Sequence, residues 1–166
     1  MKLTLAEASK KLKELNNEIQ TLNAIEIQSR EFLCAMGEDV ESVRPEYDFK
    51  ETQSKLDILK TQVRELKHKI NIANINTKVD GYDMTIDEIL VYIPQLSAQE
   101  NKLNSMRGKV KKTRENGYNK LSNFVDYRYI NYDLSEVNKE YNKVFIELSK
   151  AQMALDKTNN SVTIES

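Results

Sequence analysis

Soft metal ligands and structure breakers are scarce in this chain. Cysteine and histidine occur once each, at Cys34 and His68, and 166 residues hold only four Gly and two Pro. A single thiol cannot close an internal disulfide, and one thiol with one imidazole cannot assemble a zinc ligand set. No Gly-rich phosphate loop and no pairing of a nucleophile with a base is present. Paired carboxylates occur at Glu38 with Asp39 and at Asp87 with Glu88. Neighbouring positions on a helix point apart, so neither pair resembles a general acid and base held across a cleft. The expectation is a protein that is not an enzyme, with no catalytic residues, no metal and no cofactor. Long apolar runs are also missing: none approaches the ~18 residues of a membrane span, and no basic-then-apolar leader opens the chain, so cytoplasmic residence is expected. With 25 basic and 26 acidic residues, no global charge draws the chain toward nucleic acid or anionic lipid. Cys34, between Leu33 and Ala35, is expected to be a buried, reduced thiol.

What the chain has in quantity is apolar residues spaced alternately by three and four. Phe49, Thr52, Leu56, Leu59, Val63, Leu66, Ile70 and Ala73 form one such ladder, and Leu134, Val137, Tyr141, Val144, Leu148, Ala151, Leu155 and Thr158 another. This spacing follows one face of a helix and is the seam of a coiled coil or a long helical hairpin. A third seam runs through Leu5, Ala8, Leu12, Leu15, Ile19 and Leu22, opened by a capping box of Thr4 with Glu7. Its phase slips after Leu22, and Gly37 ends the segment. Thr85 with Glu88 caps a fourth, weaker ladder interrupted by Glu100 and Arg107, and Pro94 is expected to kink that helix or restart it near Leu96.

These signals predict an all-α protein in one domain over residues 1–166. Long antiparallel helices form coiled-coil-like hairpins in a four-helix layout, with a small β arm around 124–132. The expected order is helix 1 over about 4–36, an acidic loop at 37–47, helix 2 over about 48–74, helix 3 over about 85–113, a basic and Tyr-rich arm at 114–132, and helix 4 over about 133–159. The arm is read as a short strand or hairpin that could pair with the tail segment SVTIES. Helices 2 and 4 align without a gap at an offset of 85 residues, with Asp48 on Asp133, Glu51 on Glu136 and Asn74 on Asn159. A duplication would produce this, and so would two capped heptad helices of independent origin.

The most site-like stretch is the basic run Arg107, Lys109, Lys111, Lys112 and Arg114, followed by Tyr118, Phe124, Tyr127, Tyr129 and Tyr132. Cations there could neutralise phosphates while aromatics stack on bases. Basic residues also complement a helix C-terminus, and tyrosines on a short sheet commonly serve packing. Asn71, Asn74 and Asn159 are a candidate polar layer that would fix helix register, or else a simple helix ending. His68, flanked by Lys67 and Lys69 and off the seam, reads as a solvated surface residue.

The opening KLTLAEASKKLKELNNEIQTLN, the stretches INIANINT and VDGYDMTIDEIL, and the closing YDLSEVNKEYNKVFIELSKAQMALDKTNN together resemble the septicolysin-like family, small bacterial helical proteins of which most members are uncharacterised. The resemblance implies a helical architecture. The family name implies membrane lysis, but the chain has no spanning segment and no strongly basic amphipathic face, so no functional residue is carried over. The stretch 107–132 is richer in Lys, Asn and Tyr than the family pattern.

Narrow apolar seams bury fully only against several partners, so the expected role is a self-assembling structural or interaction module. A homo-oligomer is expected, with a separate protein partner as a further possibility. Nucleic acid and membrane are not the expected targets; a nucleic-acid adaptor acting through 107–132 and a membrane-active protein are the alternatives.

Overall fold

The computed structural model describes residues 2–115 and 126–165. In chain order the elements are β1 (Lys2–Thr4), α1 (Leu5–Ser29), a single turn α2 (Val40–Val43), α3 (Phe49–Asn76), α4 (Ile86–Arg107), β2 (Lys112–Arg114), β3 (Tyr127–Tyr129), α5 (Leu134–Ser161) and β4 (Thr163–Glu165). The protein is thus mostly α-helical, with two small antiparallel strand pairs among the described residues. The chain divides into two compact units, one of Met1–Ile86 with Asp156–Ser166 and the other of Asp87–Leu155.

In the first unit α1 and α3 form a hairpin. Ala8 and Leu15 of α1 meet Leu59 and Leu66 of α3 in one buried cluster, with Leu12, Ile19, Val63 and Ile70 packed around it. These are the 3-4 seam positions, so the ladders bury one another as their spacing requires. Thr4 caps α1: its Oγ1 accepts from the Glu7 amide at 3.2 Å, and Glu7 accepts from the Thr4 amide at 2.8 Å. Asp48 caps α3 by accepting from the Glu51 amide at 2.9 Å. β1 pairs with β4 in register Lys2↔Glu165, Leu3↔Ile164, Thr4↔Thr163. Leu3 and Ile164 pack against the hairpin core.

In the second unit Ile89, Leu96 and Leu103 of α4 and Val137, Val144 and Ala151 of α5 are buried, each set at seven-residue intervals. Two phenol–carboxylate hydrogen bonds join these helices, Tyr92 to Glu147 and Tyr141 to Glu100. Each raises its tyrosine above the usual phenol range. For Tyr92 burial is the larger cause and the Glu147 charge the next; for Tyr141 the hydrogen bond to Glu100 leads.

Several boundaries differ from those read in the sequence. Helix 1 ends at Ser29, not near 36, because the seam fails there: Leu33 and Met36 are wholly exposed, with no partner face among the described residues. A helical turn without burial does not hold its chain entropy. For the same reason Cys34 is exposed, not buried. The acidic loop contains the turn α2, capped by Asp39. Helix 3 stops at Arg107 rather than 113, and part of the basic run is strand β2 instead. It does not restart at Leu96; Pro94 lies within a continuous α4. Pro94 and Leu90, whose carbonyl loses its donor, are both exposed, so water can replace that bond. The tail does not pair with the arm: β4 joins β1, and β3 pairs with β2.

The 85-residue match extends to the backbone. Helices α3 and α5 each hold 28 residues, and their ends stay in step. The Thr77 amide donates to Ala73 at 3.0 Å, and the Val162 amide donates to Thr158 at 3.0 Å. A second match, at an offset of 81, was not read in the sequence. It places Leu5, Ala8 and Leu15 on Ile86, Ile89 and Leu96, and all six are buried. The junctions match as well. The Leu5 amide donates to the Val162 carbonyl at 3.0 Å, and the Ile86 amide donates to the Thr77 carbonyl at 2.9 Å. Thr4↔Thr163 and Lys78↔Thr85 are the corresponding antiparallel bridges. The same hairpin pattern, with the same way of starting its first helix, therefore occurs twice.

Candidate interaction surfaces

The basic, tyrosine-bearing arm is built by β2 and β3. Register places Lys112 opposite Tyr129, Thr113 opposite Arg128 and Arg114 opposite Tyr127. Because side chains alternate along a strand, Lys112, Arg114, Tyr127 and Tyr129 share one face, and Thr113 and Arg128 share the other. The ladder is extended by the Glu115 amide donating to Asp126 at 2.9 Å and the Ile130 amide donating to Lys111 at 3.3 Å. The Lys112 ammonium sits 4.0 Å from the Tyr127 ring centre and 5.5 Å from that of Tyr129, a cation–π arrangement. Arg128 is ion-paired with Glu115. Both rings and all these cations remain exposed.

Not every residue of the sequence-read set belongs to this surface. The Arg107 guanidinium lies 4.1 Å from the Tyr141 ring centre, and the half-buried Tyr132 donates its phenol proton to the Met106 carbonyl at 2.9 Å. The first contact joins α4 to α5, and the second fastens the arm's base to the end of α4. Lys109 and Lys111 are exposed beside β2. Tyr118 and Phe124 lie outside the described residues. Of the candidate polar layer, Asn71 is exposed while Asn74 and Asn159 are half-buried, so no closed asparagine layer is formed by the three. His68 is exposed.

A second surface was missed in the sequence, the connection 30–48. Local bonds hold it in shape. Arg44 forms a two-pronged pair with Glu41 at 2.8 and 2.7 Å and lies 5.3 Å from the Phe32 ring centre. The Ala35 amide donates to Glu38 at 3.0 Å, and the Cys34 thiol lies 3.5 Å from the Glu38 carbonyl. Gly37 takes φ +89°, the left-handed conformation that side chains resist. The Tyr47 phenol donates to Glu26 at 2.7 Å, and Gln53 donates to the same oxygen at 2.8 Å. That carboxylate is the main reason Tyr47 is raised above the usual phenol range. The framework leaves Leu33 and Met36 wholly in water. The signal available beforehand was the phase slip after Leu22, which left both residues without a seam.

An open groove of about 660 Å³ lies along α1 and α3. Its lining mixes Glu7, Glu14 and Glu65 with Lys10, Lys11 and Lys69, so it favours no ligand of one charge. Among the described residues no group of three or more His, Cys, Asp or Glu could hold a metal ion, and no helix is long and apolar enough to cross a membrane.

The chain matches no family model and no curated protein. Among solved structures it is similar to a functionally unknown conserved protein from Corynebacterium diphtheriae, with a TM-score of 0.71 and 17% identity over 99% of this chain and 100% of that one. At this identity the likeness establishes a shared fold along the whole chain and nothing about activity.

Proposed function

We propose that this chain is a non-enzymatic, cytoplasmic interaction module that associates with copies of itself, with a helical architecture akin to that of the septicolysin-like proteins. The observation that carries this reading is the connection 30–48. Its backbone is fixed by internal bonds, yet Leu33 and Met36 are presented wholly to solvent. Apolar side chains held outward on an ordered loop mark a contact surface better than they mark a failed core. Burying them against a partner gains roughly 1.5–3 kcal/mol each. The test is absolute molar mass by light scattering across a hundredfold dilution. A stable multiple of the 19.3 kDa chain supports the reading, and a monomer at every concentration refutes it.

A second reading, nucleic-acid binding, rests on the exposed cations of the arm. Against it, one face of the rings that would stack on bases is engaged by Lys112. Salt-sensitive retardation of RNA or DNA, lost in a chain carrying Lys111→Glu and Lys112→Glu, would favour it. A membrane-active role fits the acidic connection 30–48 poorly, since anionic lipid would repel it.

A further inference from the structure

The two long interhelical connections, 30–48 between α1 and α3 and 108–133 between α4 and α5, hold equivalent places in the internal repeat. They differ in charge and not in position. The first carries six carboxylates against two guanidiniums, while the described part of the second, 108–115 with 126–133, carries five cations against three carboxylates. Each also bears exposed apolar surface. The first presents Leu33 and Met36, and the second presents Val110, Tyr127 and Tyr129. On the arm, aromatic rings and cations share a face through the Lys112↔Tyr129 and Arg114↔Tyr127 pairs.

We infer that these connections dock on one another between two copies of the chain. The acidic connection of each copy sits on the basic arm of its partner. This names the interface of the self-association proposed above and rests on that reading. Opposite charges select the pairing and orient it, while the apolar side chains and rings supply burial. Met36 is suited to the tyrosine face, because a thioether packs well at an aromatic edge. Reciprocal docking in a two-fold pair uses both connections of both copies. Head-to-tail docking would leave one of each at the ends of a chain of copies. A second copy is favoured over an unrelated acidic partner because the complement is already present in the same polypeptide.

Two charge reversals test this. One chain carries Glu31→Lys with Glu46→Lys, and the other Lys109→Glu with Lys111→Glu. All four residues are exposed, and the hydrogen bonds of Glu38 and the ring contacts of Lys112 are left in place. Circular dichroism checks that each remains helical. The native chain is expected at twice the 19.3 kDa mass. Each variant alone is expected to dissociate at least tenfold more readily, since the first leaves its acidic connection with carboxylates and cations in equal number and the second leaves its basic connection with more carboxylates than cations. An equimolar mixture of the variants keeps one unaltered acidic-to-basic contact, sets the two reversed sets against one another in the second, and returns the doubled mass. Independently of any variant, maleimide modification of Cys34 in the native chain should slow several-fold from dilute to concentrated solution.

If the native chain is a monomer throughout, both the self-association and this interface fall. If it is a dimer but neither reversal weakens it, or the mixture does not recover, this interface alone falls. Unchanged Cys34 reactivity in a demonstrated dimer overturns it too. Salt-sensitive RNA binding by a monomeric native chain, lost in the Lys109 and Lys111 variant, assigns the arm to nucleic acid instead.

Discussion

Stability at the residue scale is concentrated in a few seam positions. Leu66 is buried in the α1–α3 core, so Leu66→Ala removes both transfer energy and packing and should cost about 2–5 kcal/mol in a denaturant titration. Ile72, exposed on the same helix, should change stability by less than about 0.5 kcal/mol when replaced by Ala. Gly81 sits in the turn closed by the Tyr82 amide donating to Val79 at 3.0 Å, with φ +79° and no atom within 4 Å of an added Cβ. Gly81→Ala therefore meets no clash but carries the left-handed backbone penalty of roughly 1–2 kcal/mol. Gly108, without positive φ and with its nearest neighbour at 3.8 Å, should accept Ala with little change.

Titration gives residue-level signs in both directions. Glu7 is held below the ordinary carboxylate range by its hydrogen bonds with Thr4, and Asp80 and Asp83 by Lys157 and Lys78. A depressed folded-state pKa adds stability above the unfolded-state value, and that part is lost as pH falls through the folded one. Acid should therefore lower the melting temperature progressively below the usual carboxylate range. Replacing Lys157 with Met should flatten the Asp80 part of that profile. The tyrosines bonded to Glu26, Glu147 and Glu100 are raised. Their contribution is complete below the ordinary phenol pKa and lost as pH climbs through the raised one, so Tyr47→Phe should blunt the alkaline loss.

Whole elements matter most at the junctions. Strand β4 completes the β1 pair, delivers Ile164 to the α1–α3 core, and follows the Val162 carbonyl that accepts the first amide of α1. Removing residues 163–166 should lower the melting temperature by roughly 4–8 °C, taking a loss of about 2 kcal/mol and the usual conversion for this chain length. The equivalent junction, Lys78↔Thr85, cannot be lost that way, because the chain runs straight through it. The repeat was half legible in the sequence. Helices α3 and α5 share an ungapped ladder, whereas α1 and α4 differ at Ile19 and Glu100, and unequal connections shift their offset to 81. Only the matched burial and junction hydrogen bonds reveal the second half.

For the whole molecule, the proposed association through opposed charges should weaken with salt. At about 0.1 M the Debye length is ~10 Å, falling to ~3 Å at 1 M. Raising salt across that range should shift the native chain toward 19.3 kDa by light scattering. An association driven by the apolar seams alone would hold or strengthen.

The amino-acid sequence alone determined the helices, their caps and their buried faces. These follow from local bonding and from a 3-4 periodicity that reports which side must leave water, as Leu59, Leu66, Val137 and Val144 illustrate. Tertiary structure decided which strands pair and where the helices stop. It also decided which apolar residues remain outside, since that depends on whether a partner face exists. Leu33, Cys34 and Met36 look like core in a linear reading, yet no described part of the chain covers them. β4 could have joined either short strand by composition, and the start of α1 beside the end of α5 placed it on β1.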